Sequence, residues 1–178
     1  GIDLEIPYKD IKELDITESG HYEQDEFIMF YNIPNMTEKE RRYVLPILNF
    51  ILGGGGLTSK LYKYLREENS LCYSVGSRVN RNDNYLVISA GIDSKNKELC
   101  VKLVKKAINE MIEGNFTNDN LLNAKKYVKS YLKMTHDDIF SILEDYYIHN
   151  TEDIPLSFDR LKYYEEITKE DIINLAKK

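Results

Sequence analysis

The sequence has no tryptophan, four prolines, two cysteines and three histidines in 178 residues. Two cysteines, Cys72 and Cys100, neither in a CxxC pair, exclude a disulfide scaffold and a zinc ribbon. They predict two buried thiols in a reducing compartment, and with it a cytoplasmic location. Positive charge is also scarce: 24 Lys and Arg stand against 30 Asp and Glu, a formal net charge of -6. Phosphate backbones require a basic surface, so this balance argues against a nucleic-acid partner. No apolar run approaches the length of a membrane span, and the N-terminus lacks the basic-then-apolar layout of a signal peptide. What remains is an ordinary globular composition, 42% hydrophobic and 30% charged, large enough for one well-buried core.

Recognisable metal and nucleophile motifs are missing too. His21, His136 and His149 form neither HExxH nor HxxEH, and they fall in an arm, a helix junction and a helix end. A zinc site needs three or four converging ligands, so no metal site is expected in this chain. Serine, histidine and aspartate occur without a nucleophile motif. The glycine run Gly53-Gly54-Gly55-Gly56 precedes Thr58-Ser59-Lys60 in the wrong order for a phosphate loop and follows a helix rather than a strand. It reads as a helix C-cap with glycines at positive φ, or as a backbone track permitting close approach.

The patterning predicts α+β with an antiparallel sheet covered by helices on one face, a layered arrangement related to ferredoxin-like folds. Residues 1–24 read as a connecting arm leading into the first strand, and residues 25–178 as a single domain. Glu26 to Ile33 is apolar and aromatic, which suits a strand buried on both faces. Thr37 and Glu40 form a capping box for a helix running to Leu52, with Pro46 expected to kink it or delay its start. A short helix follows with Leu57, Leu61 and Leu65 on one stripe. Leu71, Tyr73, Val75 and Val79 then alternate with polar residues, and a turn at 80–84 leads to a partner strand from Tyr85 to Ile92. Helical spacing fills the remainder: Val101 to Met111, Leu121 to Leu132 after a Thr117 cap, Ile139 to Tyr147, Leu156 to Tyr164, and a capped turn at Thr168.

The most distinctive segment is Gly53 to Val75. Arg66 ends a helix and Tyr73 lies in the next strand, so a guanidinium and a phenol flank one turn. Such fixed donors suit a carbonyl oxygen that gains negative charge, although lone Arg and Tyr residues also serve in ion pairs and packing. Gly53-Gly54-Gly55, Ser59-Lys60-Leu61, Leu65-Arg66-Glu67 and Tyr73-Ser74-Val75 occur in this order, followed by Leu121 to Lys126 and Ile167 to Lys178. In this combination the chain resembles the C-terminal, non-zinc domain of pitrilysin/insulinase-type (inverzincin) zinc metallopeptidases, over about residue 22 to the end. Residues 49–78 are most similar to the smaller bacterial members, which act as dimers or as pairs of related subunits.

That resemblance implies a substrate-binding domain of a zinc endopeptidase, inactive alone. Arg66 and Tyr73 would contact the substrate carbonyl, and Gly53, Gly54, Gly55, Gly56 and Ser59 would form a substrate-binding or domain-closure turn. Zinc would be held by an N-terminal zinc-type domain or a related peptidase subunit, with a peptide between the halves. A catalytically inert structural or partner subunit of the same family is the competing expectation.

Overall fold

The computed structural model describes residue 16 and residues 25–80, 83–134 and 138–178. Three strands form an antiparallel sheet: β1 (Asp25–Asn32), β2 (Cys72–Asn80) and β3 (Tyr85–Ile92), in the order β1-β3-β2. β3 is central because it pairs with β2 along one edge, while β1 adds to its other edge with Phe27 opposite Ala90 and Met29 opposite Ile88. Its inward residues Leu86, Ile88, Ala90 and Ile92 are all buried. The helices α1 (Leu45–Asn49), α2 (Lys97–Glu113), α3 (Asn118–Met134), α4 (Ile139–Glu152), α5 (Ser157–Glu165) and α6 (Lys169–Ala176) complete the α+β layers. Among the described residues, no helix is long and apolar enough to cross a membrane. The arm expected over residues 1–24 lies outside the described residues apart from Ile16, as do His21 and His136.

Burial corrects three expectations. β1 is not buried on both faces: Phe27 is inside, while Ile28 and Phe30 are 57% and 53% exposed. An edge strand of a sheet with helices on one side has only one face to bury, whatever its composition. In β2, the pairing register shifts between Cys72 and Val75. This bulge places Cys72 inside and leaves Tyr73 75% exposed, against strict alternation. Leu57 is exposed, because it sits in a single turn (Gly56–Thr58) before the helix proper, whereas Leu61 and Leu65 are completely buried.

The capping box forms as expected: the Glu40 amide donates to Thr37 Oγ1 (3.2 Å) and the Thr37 amide to Glu40 Oε2 (2.7 Å). Pro46 does not end the helix. It lies at the start of α1, which is flanked by wider turns over Glu40–Val44 and Phe50–Gly54. In these turns, amides reach back five residues, as Gly55 does to the Phe50 carbonyl (2.9 Å). Pro46 supplies no amide to the carbonyl of Arg42 four residues earlier, and that oxygen instead accepts the Tyr164 hydroxyl at 3.0 Å.

The last helices depart most from a simple amphipathic reading. On α4 the buried residue is Asp145, which accepts from the Ser157 amide (2.8 Å) and from Arg160 (2.6 Å). Phe140, Leu143 and Tyr147 instead face outward. The apolar period was visible in the sequence, but it marks the outer face of the helix.

Substitutions should follow this burial rather than hydrophobicity. Leu61→Ala should cost about 2–5 kcal/mol in urea unfolding, whereas Leu143→Ala should change stability by no more than about 0.5 kcal/mol.

Candidate functional site

The segment that carries Arg66 begins with a cap. Ser59 is buried, its hydroxyl donates to the Gly56 carbonyl (2.7 Å) and accepts from the Tyr62 amide (3.3 Å). Wide helical turns follow over Tyr62–Glu67. They end where Ser70 adopts φ 52° and the Leu71 amide reaches the Leu65 carbonyl (2.8 Å). This left-handed residue reverses the chain into β2. Arg66 and Tyr73 thereby come to line one concavity of about 830 Å³. Its other walls include Asp25 and Asp93, at the end of the sheet where Cys72 pairs with Ile92.

Arg66 is exposed, and among the described residues no carboxylate pairs with it. Glu68 pairs with Lys63 at 3.7 Å, Glu67 lines a different concavity, and Asp93 is held by Lys95 at 2.7 Å. The guanidinium instead lies 5.3 Å from the centroid of the Tyr62 ring. Burial pushes the Cys72 thiol up, and the nearby Arg66 charge works in the opposite direction. Among the described residues, the site therefore holds a cation without a carboxylate partner and an exposed phenol beside a buried thiol.

The glycine run has a different job at each position. Only Gly56 of the four has a positive φ, 59°. A Cβ on Gly53 would sit 2.6 Å from Leu61 Cδ1 and 2.6 Å from Ser77 Oγ, so this glycine lets the helix end touch β2. A Cβ on Gly55 would lie 2.6 Å from the Phe50 carbonyl oxygen. None of the four lines the Arg66–Tyr73 concavity. Gly54 and Gly56 are exposed beside Leu57, while Ser59 is engaged in its cap.

A family model described as the peptidase M16 inactive domain matches residues 2–128. The chain belongs to that family. It is 29% identical over 135 residues to the "Probable inactive metalloprotease YmfF" of Bacillus subtilis, covering 75% of this chain and 32% of that protein. It is 28% identical over 168 residues to an "Uncharacterized zinc protease" of Rickettsia felis, covering 88% and 38% respectively. The chain thus spans about a third of the length of these curated relatives. A crystal structure of a conserved protein from Enterococcus faecalis V583 superposes with a TM-score of 0.87 at 21% identity, over 96% of this chain and 40% of that one. This last likeness concerns the fold alone.

In this M16 inactive domain, the described residues do not fit a zinc ion. No group of three or more His, Cys, Asp or Glu among them could hold a metal. His149 Nδ1 is 2.7 Å from the Ile154 carbonyl oxygen, closing α4 in the manner expected of a helix-end histidine.

Sequence reasoning missed the charged cluster that seats the Arg66 segment. Lys60 pairs with Glu110 of α2 at 2.5 Å and donates to the Asn115 carbonyl at 2.6 Å. Tyr64 donates to the other Glu110 oxygen at 2.5 Å, and the Lys106 ammonium lies 4.0 Å from the Tyr64 ring centroid. Burial pushes the Glu110 carboxyl up, but the hydrogen bonds from Lys60 and Tyr64 outweigh this and hold it below its usual value. Burial, with Glu110 adding to it, pushes the Tyr64 hydroxyl up to about 12. Glu110 follows Lys60 by fifty residues, and no spacing rule links them.

Both shifts predict a dependence of stability on pH. The Tyr64 pKa is raised in the fold, so its contribution is intact below the unfolded value of 10.0 and is lost as pH rises towards about 12. The Glu110 pKa is lowered, so its contribution is present above the unfolded value and is lost as pH falls through the folded one. Urea unfolding across pH should show a shallower alkaline decline in Tyr64→Phe. Glu110→Gln should flatten the acid decline and cost about 1–3 kcal/mol at neutral pH.

Proposed function

We propose that this chain is the substrate-binding half of a zinc-dependent endopeptidase, closing on a zinc-type domain or a related peptidase subunit with a peptide between them. The observation that carries the reading is the shared concavity of Arg66 and Tyr73, with a guanidinium that no carboxylate among the described residues neutralises. A free cation and a phenol on one wall can donate to a substrate carbonyl oxygen as it becomes negative, and such donors act most strongly where closure excludes water. Zinc in the opposite half would supply the activated water and polarise the same carbonyl. Among the described residues β1 and β2 are the edges of the sheet, and a sheet edge can hold an extended peptide by strand addition. The exposed Gly54, Gly56 and Leu57 would serve as the closure turn, with Ser59 holding its base. Cytoplasmic residence belongs to this reading, supported by two buried, free cysteines.

One observation favours a second reading, a catalytically inert structural or partner subunit. The Bacillus relative carries the word inactive in its name. An inert subunit would keep the fold without needing donors that point at a substrate.

The two readings separate in an assembly reconstituted with its zinc-bearing partner. Arg66→Ala or Tyr73→Phe should lower peptide cleavage by about 100-fold with the assembly intact by size-exclusion chromatography. Cleavage at the parent rate in both variants would leave the inert-subunit reading. The chain by itself should hold no stoichiometric zinc by elemental analysis. Zinc retained through its own histidines would overturn the division of labour between the halves.

A further inference from the structure

We propose that Tyr62 is the positioning residue of this site: its ring is the platform that holds the Arg66 guanidinium at the concavity shared with Tyr73. The inference rests on reading Arg66 as a substrate-contacting donor, and names what aims it.

Tyr62 and Arg66 are four residues apart on one helical segment, so they share a face. Leu61, Tyr64 and Leu65 take the inward positions, which leaves Tyr62 and Arg66 on the outer stripe. Tyr62 itself is half-buried, and its amide is tied to the Ser59 cap. Two residues to either side, Lys60 and Tyr64 bind Glu110 and fix the segment against α2. The ring is therefore anchored through its backbone and its neighbours, while the guanidinium above it would otherwise be a long exposed side chain.

The manner of holding matters. A guanidinium presents its N–H donors in its own plane, and a ring stacked on it occupies only the face. A carboxylate would occupy the same donors that a substrate oxygen requires. Among the described residues, the acids that could do so are engaged or elsewhere: Glu68 pairs with Lys63 and Asp93 with Lys95, while Asp25 shares the concavity without an ion pair to Arg66. Contact with the Tyr62 ring at 5.3 Å would restrict the Arg66 side chain without consuming its N–H donors as a carboxylate does.

The test needs a readout of Arg66 position that does not depend on catalysis, and Cys72 supplies one. Its thiol lies at the same concavity, and the Arg66 charge favours the thiolate. In a Cys100→Ala background, the Cys72 thiol is titrated by the chemical shift of its 13C-labelled Cβ. Tyr62→Leu should move the midpoint upward, in the direction produced by Arg66→Gln, and Tyr62→Phe, which keeps the aromatic face, should leave it in place. A Tyr62→Leu protein that titrates like the parent overturns the proposal, as does a Phe variant that behaves like Leu. In the zinc-bearing assembly, Tyr62→Leu should lower kcat/KM by about two- to five-fold, mainly through kcat, with rescue by Phe. If Arg66→Gln cleaves peptide normally, the substrate-contact reading fails. The titration still decides independently whether Tyr62 holds the arginine.

Discussion

The architecture of the site depends on one close contact, the approach of the helix end at Gly53 to strand β2. A side chain at Gly53 would collide with Leu61 and Ser77, and a Cβ on Gly76 would lie 3.7 Å from the Gly53 carbonyl oxygen. Because backbone meets backbone there, Leu61 and Leu65 can seal against the sheet, and the segment between them has a fixed position over its end. Ser77 strengthens the junction, its hydroxyl donating to Asn49 Oδ1 at 2.7 Å. Everything said of Arg66 follows from where that segment is seated.

The second support is electrostatic and comes from the opposite side. Lys60 and Tyr64 converge on Glu110, and Lys60 also reaches a carbonyl just beyond the left-handed Gly114 that ends α2. These groups are largely removed from water, with side-chain exposures of 14% for Lys60 and 19% for Glu110. Breaking one partner there leaves a desolvated charge, so the pair specifies how the segment lies on α2 more than it adds net stability. Arg66 contrasts with this pair. Six residues apart on the same stretch, two cations meet opposite circumstances: Lys60 is consumed by structure, and Arg66 has no carboxylate partner among the described residues. That division is the physical basis for assigning chemistry to one and not to the other.

Much of the fold was legible because its signals are local. The Thr37–Glu40 and Thr168–Asp171 boxes, the Thr117 cap, the pairing of the adjacent strands β2 and β3 and the Gly114 terminus each depend on residues close to one another in the chain. That Arg66 and Tyr73 lie near one another was legible for the same reason, since only a short turn separates them. The run from Glu26 to Ile33 misled because an aromatic edge strand has the composition of a central one. The shift in register between Cys72 and Val75 was not legible, because a bulge interrupts alternation without leaving a compositional trace.

The amino-acid sequence by itself determined the order and type of the elements, their caps, the family and the candidate donors. Only the tertiary structure decided which apolar stripes are buried, how the glycines divide between packing and turning, and which distant acid Lys60 pairs with. Periodicity states which residues share a face, but whether that face meets a partner depends on what the rest of the chain brings to it. Phe140 and Leu143 show this at α4, turned outward while Asp145 is buried. Lys60 shows it beside the site, because its ion pairing is settled by Glu110, fifty residues away, which only folding brings near.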